Sequence, residues 1–223
     1  YEQSGALRDM IQSHLFQLLS LTIMDLGEGG NLEEIPKLRL EALKKLKINN
    51  LDLCVRGQYD GYKNDVKNKE SMVESFASVL VESTDPKWVG VPFTLTTGKA
   101  LESRFTEIRI SYRKEKDNES NELIIRIQPK GGIQFNMWAK NPGYEYRVSP
   151  HNLSFNFEEY YGALPLAYEQ VIFNVINSDH SLFTLSEEVI ETWRILDELE
   201  KKWEGNDNGM IVYKKGTSVD ELI

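Results

Sequence analysis

The hydrophobic period of this chain changes twice, and that double switch limits the folds open to it more than any other feature. Over residues 6–24 the apolar side chains of Leu7, Met10, Ile11, Leu15, Leu18, Leu19 and Ile23 recur at spacings of three and four, the period of an amphipathic helix. Ser4 is placed to cap that helix and Gly27 to end it. A second helical pattern covers residues 32–46 through Ile35, Leu38, Leu43 and Leu46. Its Pro36 falls in the first turn, where a missing N–H is tolerated. After Asn49 and Asn50 the period drops to two. Short β-rich runs at 51–59, 76–81 and 89–96 precede two alternating segments that answer each other. In the first, Ile108, Ile110 and Tyr112 oppose Arg109, Ser111 and Arg113; in the second, Leu123, Ile125 and Ile127 oppose Ile124, Arg126 and Gln128. The charged residues 114–121 between them read as a solvated hairpin loop. Strands are expected again at 133–139 and 146–157, and the helical period returns at 166–176 and 186–203. The last dozen residues read as an extended tail. Helices flanking a run of closely connected strands predict an α+β fold: one large, mostly antiparallel β-sheet with helices packed on one face, in a single domain over residues 1–223.

Composition narrows the function. The 223 residues carry 26 Lys and Arg against 35 Asp and Glu, a formal charge of −9. That balance argues against a nucleic-acid partner, since phosphate backbones are held by clustered cations. A hydrophobic content of 40% is enough for a real core and excludes disorder over the whole chain. The longest apolar stretch, residues 15–24, is interrupted by Gln17, Ser20 and Thr22 and is about half of what a membrane-spanning helix needs, so no membrane partner is expected. Cys54 is the only cysteine. It permits no intrachain disulfide and no thiolate metal cluster, which makes a reducing, cytoplasmic setting the simplest reading. The chain opens on Tyr1, Glu2 and Gln3 without a basic leader or a cleavage site, as a piece of a longer polypeptide would.

Few motifs carry chemistry on their own. Gly27-Glu28-Gly29-Gly30 follows a helix instead of a strand and has Leu32 where a dinucleotide fingerprint needs its third glycine, so it reads as a helix stop. His14, His151 and His180 are far apart and lack partners at metal-ligand spacing, so no metal is expected. Asn118-Glu119-Ser120 and Asn152-Leu153-Ser154 match the glycosylation pattern without a secretory context. His14 lies within the apolar stripe of the first helix, where it is either a hydrogen-bonded core residue or a catalyst. Asp9, five positions earlier, is about 140° away around an α-helix, so the two cannot pair along one face but could line two walls of a cavity. Lys99 and Arg104, in the non-periodic stretch after Gly98, are solvated charges or a pair converging on one anion, for which an arginine fork and a lysine point charge suit a phosphate.

Taken in order, these segments resemble the carboxy-terminal domain of glucose-6-phosphate dehydrogenase over essentially the whole chain. The resemblance is carried by Gly5-Ala6-Leu7-Arg8-Asp9-Met10-Ile11-Gln12-Ser13-His14-Leu15, Arg56-Gly57-Gln58-Tyr59, Trp88-Val89-Gly90-Val91-Pro92-Phe93 and Gly98-Lys99-Ala100-Leu101. It continues through Asn121-Glu122-Leu123-Ile124-Ile125-Arg126-Ile127-Gln128-Pro129, Ala167-Tyr168-Glu169 and Thr192-Trp193-Arg194-Ile195. The resemblance implies an oxidoreductase that converts glucose 6-phosphate to its lactone with NADP, the entry step of the pentose phosphate pathway. It implies that His14 is the catalytic base, that Asp9 contacts the sugar, and that Lys99, Arg104 and Gln128 bind substrate. It also implies a homodimer formed through the sheet. The nucleotide-binding fold of the family and its Asp-His-Tyr-Leu-Gly-Lys stretch are not in this sequence. NADP would therefore be bound mainly by an absent amino-terminal domain, and this chain alone would be inactive. Phe105 stands where animal members carry a lysine of a second nucleotide site. The rival reading is a non-catalytic sugar-phosphate binding or dimerisation module.

Overall fold

The computed structural model describes residues 1–114 and 120–223. The expected connection at 114–121 and the triplet Asn118-Glu119-Ser120 therefore lie largely outside the described residues. In chain order, a π-helical segment Leu7–Leu15 runs directly into α1 (Phe16–Ile23), and α2 (Ile35–Lys44) follows a 3₁₀ turn. Next come β1 (Leu46–Lys47), β2 (Val55–Tyr59), α3 (Tyr62–Asp65), β3 (Phe76–Ser83), β4 (Phe93–Gly98), β5 (Thr106–Ser111), β6 (Glu122–Gln128), β7 (Gly132–Lys140) and β8 (Val148–Asn156). The chain closes with α4 (Phe157–Tyr161), α5 (Ala167–Ile176), α6 (Ser186–Trp203) and β9 (Met210–Tyr213). The class is α+β, and among the described residues every strand contact is antiparallel but one, β2 against β9.

Within the span expected to be one domain, the chain gathers into two compact units, Tyr1–Glu102 with Val171–Ile223, and Ser103–Gln170. The strands divide accordingly into a five-stranded set, β1-β3-β2-β9 with β4 on β3, and a four-stranded set, β5-β6-β7-β8. In the first unit the core is a single cluster. Leu7, Ile11, Phe16, Leu19 and Ile23 meet Ala42 and Leu43 of α2, Ile195, Leu196 and Leu199 of α6, and Ala77, Val79 and Val81 of β3. Burial of this kind, at roughly 25 cal/mol per Å² of apolar surface, is what holds three helices of modest intrinsic stability in place.

Two expectations for the first helix are corrected. Ser4 makes no side-chain capping bond to it; Gly5 at its start is in a left-handed conformation (φ +75°), and the N–H groups of Ala6 and Leu7 donate to Glu74. His14 does not sit on the inner face and is solvent-exposed, while Phe16 takes a fully buried place in the core. The tail reading is corrected at its first two residues: Val212 and Tyr213 end a strand, Met210–Tyr213, paired parallel to β2 from Arg56 opposite Met210 to Tyr59 opposite Tyr213.

Buried polar groups fix the helices. Arg39 of α2 donates to both carboxylate oxygens of Glu188 at 2.9 and 3.0 Å and to the carbonyls of Ser181 and Phe183 at 3.1 and 2.6 Å. Glu188 in turn accepts from the Leu185 N–H at the start of α6. At the other end of α6, the guanidinium of Arg56 donates to the Trp203 carbonyl at 2.7 Å, closing an otherwise open helix terminus.

The second unit buries less. Among its apolar residues Ile124 is buried, whereas Leu153 and Phe155 on β8 and Tyr160 and Tyr161 on α4 are exposed. Phe155, Tyr160 and Tyr161 form a ring cluster with centroids 5.0 to 6.2 Å apart. Among the described residues no helix is long and apolar enough to cross a membrane.

Candidate functional site

The π-helical ladder changes the relation between Asp9 and His14. Its hydrogen bonds close at i→i+5, as the Phe16 N–H donating to the Ile11 carbonyl shows. Residues five apart therefore stand one turn above each other, where an α-helix would put them about 140° apart. Asp9 and His14 are five apart and both are exposed, so a carboxylate and an imidazole are presented on one side of the same segment. The opposite side is fixed by the core through Leu7 and Ile11. Gln12 adds a lateral tie, donating to Thr192 Oγ1 of α6 at 2.9 Å.

Lys99 belongs to the same unit. It follows the last residue of β4, its N–H donates to the Ser75 carbonyl at 2.8 Å, and its own carbonyl accepts from the Tyr213 hydroxyl at 2.7 Å. Its ammonium lies over the Tyr1 ring, 4.4 Å from the centroid. Burial, followed by the neighbouring charges of Asp9 and Glu74, pushes the Tyr1 hydroxyl above its ordinary pKa against the opposing hydrogen bond with Thr97. Asp9, Tyr1 and Lys99 are thereby linked in one electrostatic neighbourhood, although Asp9 and Lys99 are 90 positions apart in sequence.

In the second unit Arg104 is exposed just ahead of β5. Gln128, also exposed, ends β6 directly opposite Thr106, two residues beyond Arg104. The arginine and the amide thus share one end of the β5/β6 pair. Phe105 lies beneath Arg126, whose guanidinium carbon is 4.7 Å from the ring centroid. Among the described residues no group of three or more His, Cys, Asp or Glu side chains could hold a metal ion.

Sequence reasoning missed Tyr1, Glu74, Ser75 and Tyr213. Each acts through a partner far away in the chain, and none lies in a run with helical or strand period. Only the left-handed Gly5 ahead of the first helix could have signalled an unusual start there.

The chain matches the model of the family described as "Glucose-6-phosphate dehydrogenase, C-terminal domain" over residues 1–221. It is 35% identical to the glucose-6-phosphate 1-dehydrogenase of Chlamydia trachomatis serovar D across 91% of this chain and 52% of that protein. With the enzyme of the same name from Mycolicibacterium smegmatis it shares 34% identity across 97% of this chain and 49% of the relative. A solved glucose-6-phosphate dehydrogenase in complex with its substrate glucose-6-phosphate superposes with a TM-score of 0.90 at 30% identity, covering 99% of this chain and 50% of that one. The chain thus spans about half the length of the relatives it matches. From a match along nearly all of its length, and from a fold shared with a solved relative, the chain belongs to the glucose-6-phosphate dehydrogenase C-terminal domain family.

Proposed function

We propose that this chain is the sugar-phosphate-binding half of a cytoplasmic, NADP-dependent glucose-6-phosphate dehydrogenase and works as one functional domain. The observation that carries the proposal is the π-helical presentation of Asp9 and His14 within a chain matched to that family along residues 1–221. Oxidation of the C1 hydroxyl to a lactone removes a hydride from carbon and a proton from oxygen. His14 takes the proton, because an imidazole is a competent base near neutral pH and must lie within hydrogen-bond reach of the hydroxyl. Asp9 accepts hydrogen bonds from sugar hydroxyls, which are all potential donors. Lys99 and Arg104 hold the phosphate, and Gln128 completes the substrate side; holding the far end of the sugar orients C1 toward the base. The residues present do not fit a dinucleotide. Gly27 and Gly29 follow α1 instead of a strand, and the one parallel strand pair among the described residues, β2 with β9, leads into α3 through the single Gly61 without a glycine-rich turn. No ligand of NADP is therefore assigned to this chain, and the fragment alone is expected to be inactive.

The same reading makes the molecule a homodimer through the four-stranded set, where Leu153, Phe155, Tyr160 and Tyr161 leave apolar surface open.

The test is steady-state kinetics of two variants in the full-length parent. His14→Asn should lower kcat by roughly 10²-fold or more with little change in KM. Arg104→Ala should act mainly on KM, by roughly 10- to 150-fold, the equivalent of about 1.5 to 3 kcal/mol for a hydrogen bond to a charged group. Its effect should be smaller against unphosphorylated glucose. Equal kcat losses in both variants, or an Arg104→Ala penalty that is the same for both sugars, would refute the assignment.

A further inference from the structure

Two adjacent residues ahead of β3 bind both halves of the site in the first unit. Glu74 Oε1 accepts from the Leu7 N–H at 2.8 Å, and the Glu74 carbonyl accepts from the Ala6 N–H at 3.1 Å. Those donors belong to the first turn of the segment that carries Asp9 and His14, and no side chain near it in sequence caps them. A carboxylate there also complements the positive end of the helix. Gly5 makes room for it: a Cβ at that position would stand within 2.8 Å of Glu74 Cδ.

Ser75 holds the other half. Its carbonyl accepts from the Lys99 N–H at 2.8 Å, and its Oγ accepts from the Tyr59 N–H and pairs with the Tyr213 hydroxyl, each at 3.1 Å. Tyr213 then reaches the Lys99 carbonyl at 2.7 Å, so the Lys99 residue is held on both sides. The next residue, Ala100, sits at φ +55°, a left-handed conformation that costs a residue with a Cβ and persists only where its surroundings impose it. Ser75 is fully buried and Tyr213 nearly so, which leaves this arrangement little room to relax.

We propose that Glu74 and Ser75, braced by Tyr213, are the positioning residues of the sugar-phosphate site, setting His14 and Asp9 and the Lys99 backbone in one frame through a single stretch of chain. The inference rests on the roles given to those three residues under Proposed function and adds the group that fixes their mutual placement. Displacement of a catalytic group by about 1 Å can cost 10²-fold in rate, so loss of the bond between Glu74 and the helix should be visible in kcat.

The experiment compares Glu74→Ala, Glu74→Gln and Tyr213→Phe with His14→Asn in the full-length parent, measuring kcat and KM with glucose 6-phosphate and with glucose, and melting each protein. Glutamine keeps the acceptor oxygen for the Leu7 N–H; alanine removes it. Glu74→Ala should lower kcat by about 10- to 100-fold, and Glu74→Gln should recover most of that loss. Tyr213→Phe removes only the hydroxyl that steadies Lys99, so it should raise KM for glucose 6-phosphate by about 5- to 10-fold and leave KM for glucose nearly as it was, which keeps the proposal testable if Glu74→Ala fails to fold. Wild-type kcat in Glu74→Ala, equal losses for alanine and glutamine, or a Tyr213→Phe effect that is the same for both sugars would overturn it. If His14→Asn itself keeps full kcat, the functional reading fails; if His14→Asn is impaired while Glu74→Ala is not, only the positioning inference fails.

Discussion

Arg39→Met is the substitution whose cost can be worked most fully from the structure. The side chains of Arg39 and Glu188 are only 4% and 2% exposed, and the guanidinium makes four hydrogen bonds, two to the Glu188 carboxylate and two to backbone carbonyls. Methionine fills much of the same volume without a charge. It would leave the Glu188 carboxylate buried against the Leu185 N–H alone, along with two carbonyls that have lost their donor. Breaking one side of a buried ion pair costs about 3 to 5 kcal/mol, because the partner's charge stays desolvated. For a chain of this size that corresponds to a fall in Tm of roughly 6 to 20 °C. Replacing both residues, as Arg39→Met with Glu188→Met, removes the stranded charge and should recover at least half of the loss. The remainder comes from the Ser181 and Phe183 carbonyls, which lose their donor, and from the Leu185 N–H, which loses its acceptor. Urea titration followed by tryptophan fluorescence measures it, since Trp88, Trp193 and Trp203 all lie in the unit concerned. A loss below about 1 kcal/mol for Arg39→Met, or a double variant as unstable as the sum of the two single ones, would refute the view that the uncompensated charge sets the cost.

Burial pushes the Tyr213 hydroxyl up to about 12 from an ordinary 10.0, so between those pH values the unfolded chain loses this proton while the folded one keeps it. Stability should therefore fall as pH rises through that window, by on the order of 2 to 3 kcal/mol from this residue, and Tyr213→Phe should show a correspondingly flatter profile in denaturant titrations at pH 9 to 12. Gly5→Ala combines a left-handed φ of +75° with a clash against the Glu74 carboxylate; it should destabilise by about 1 to 3 kcal/mol, and an unchanged Tm would show that the helix start can shift at no cost. The proposed homodimer is tested at the exposed Leu153 and Phe155: the unaltered protein should sediment as a dimer at micromolar concentration and Leu153→Asp with Phe155→Asp as a monomer, whereas an unaltered monomer would refute the dimer and a doubly substituted dimer would place the interface elsewhere.

The sequence by itself determined the elements whose pattern is local. Ser186–Trp203 is the helix its period defines, Pro36 lies in the first turn of α2, and Thr106–Ser111 pairs with Glu122–Gln128 as their alternations require. Apolar side chains repeating at 3.6 or 2 residues must bury one face, and that constraint is written in a dozen consecutive positions. Tertiary structure decided what depends on partners at long range. Met210–Tyr213 is too short to declare itself and becomes a strand only because β2 offers a parallel edge some 150 positions earlier. The first helix shows the same limit at the site. Its sequence supports helical burial of Leu7, Ile11, Leu19 and Ile23 in either the α or the π form. The choice between them turns Asp9 and His14 from opposite walls to one face, and the start of that helix is held by Glu74, 67 positions away. A hydrogen-bond ladder that differs by one residue per turn leaves almost no mark on an apolar pattern, yet it decides which functional side chains stand together.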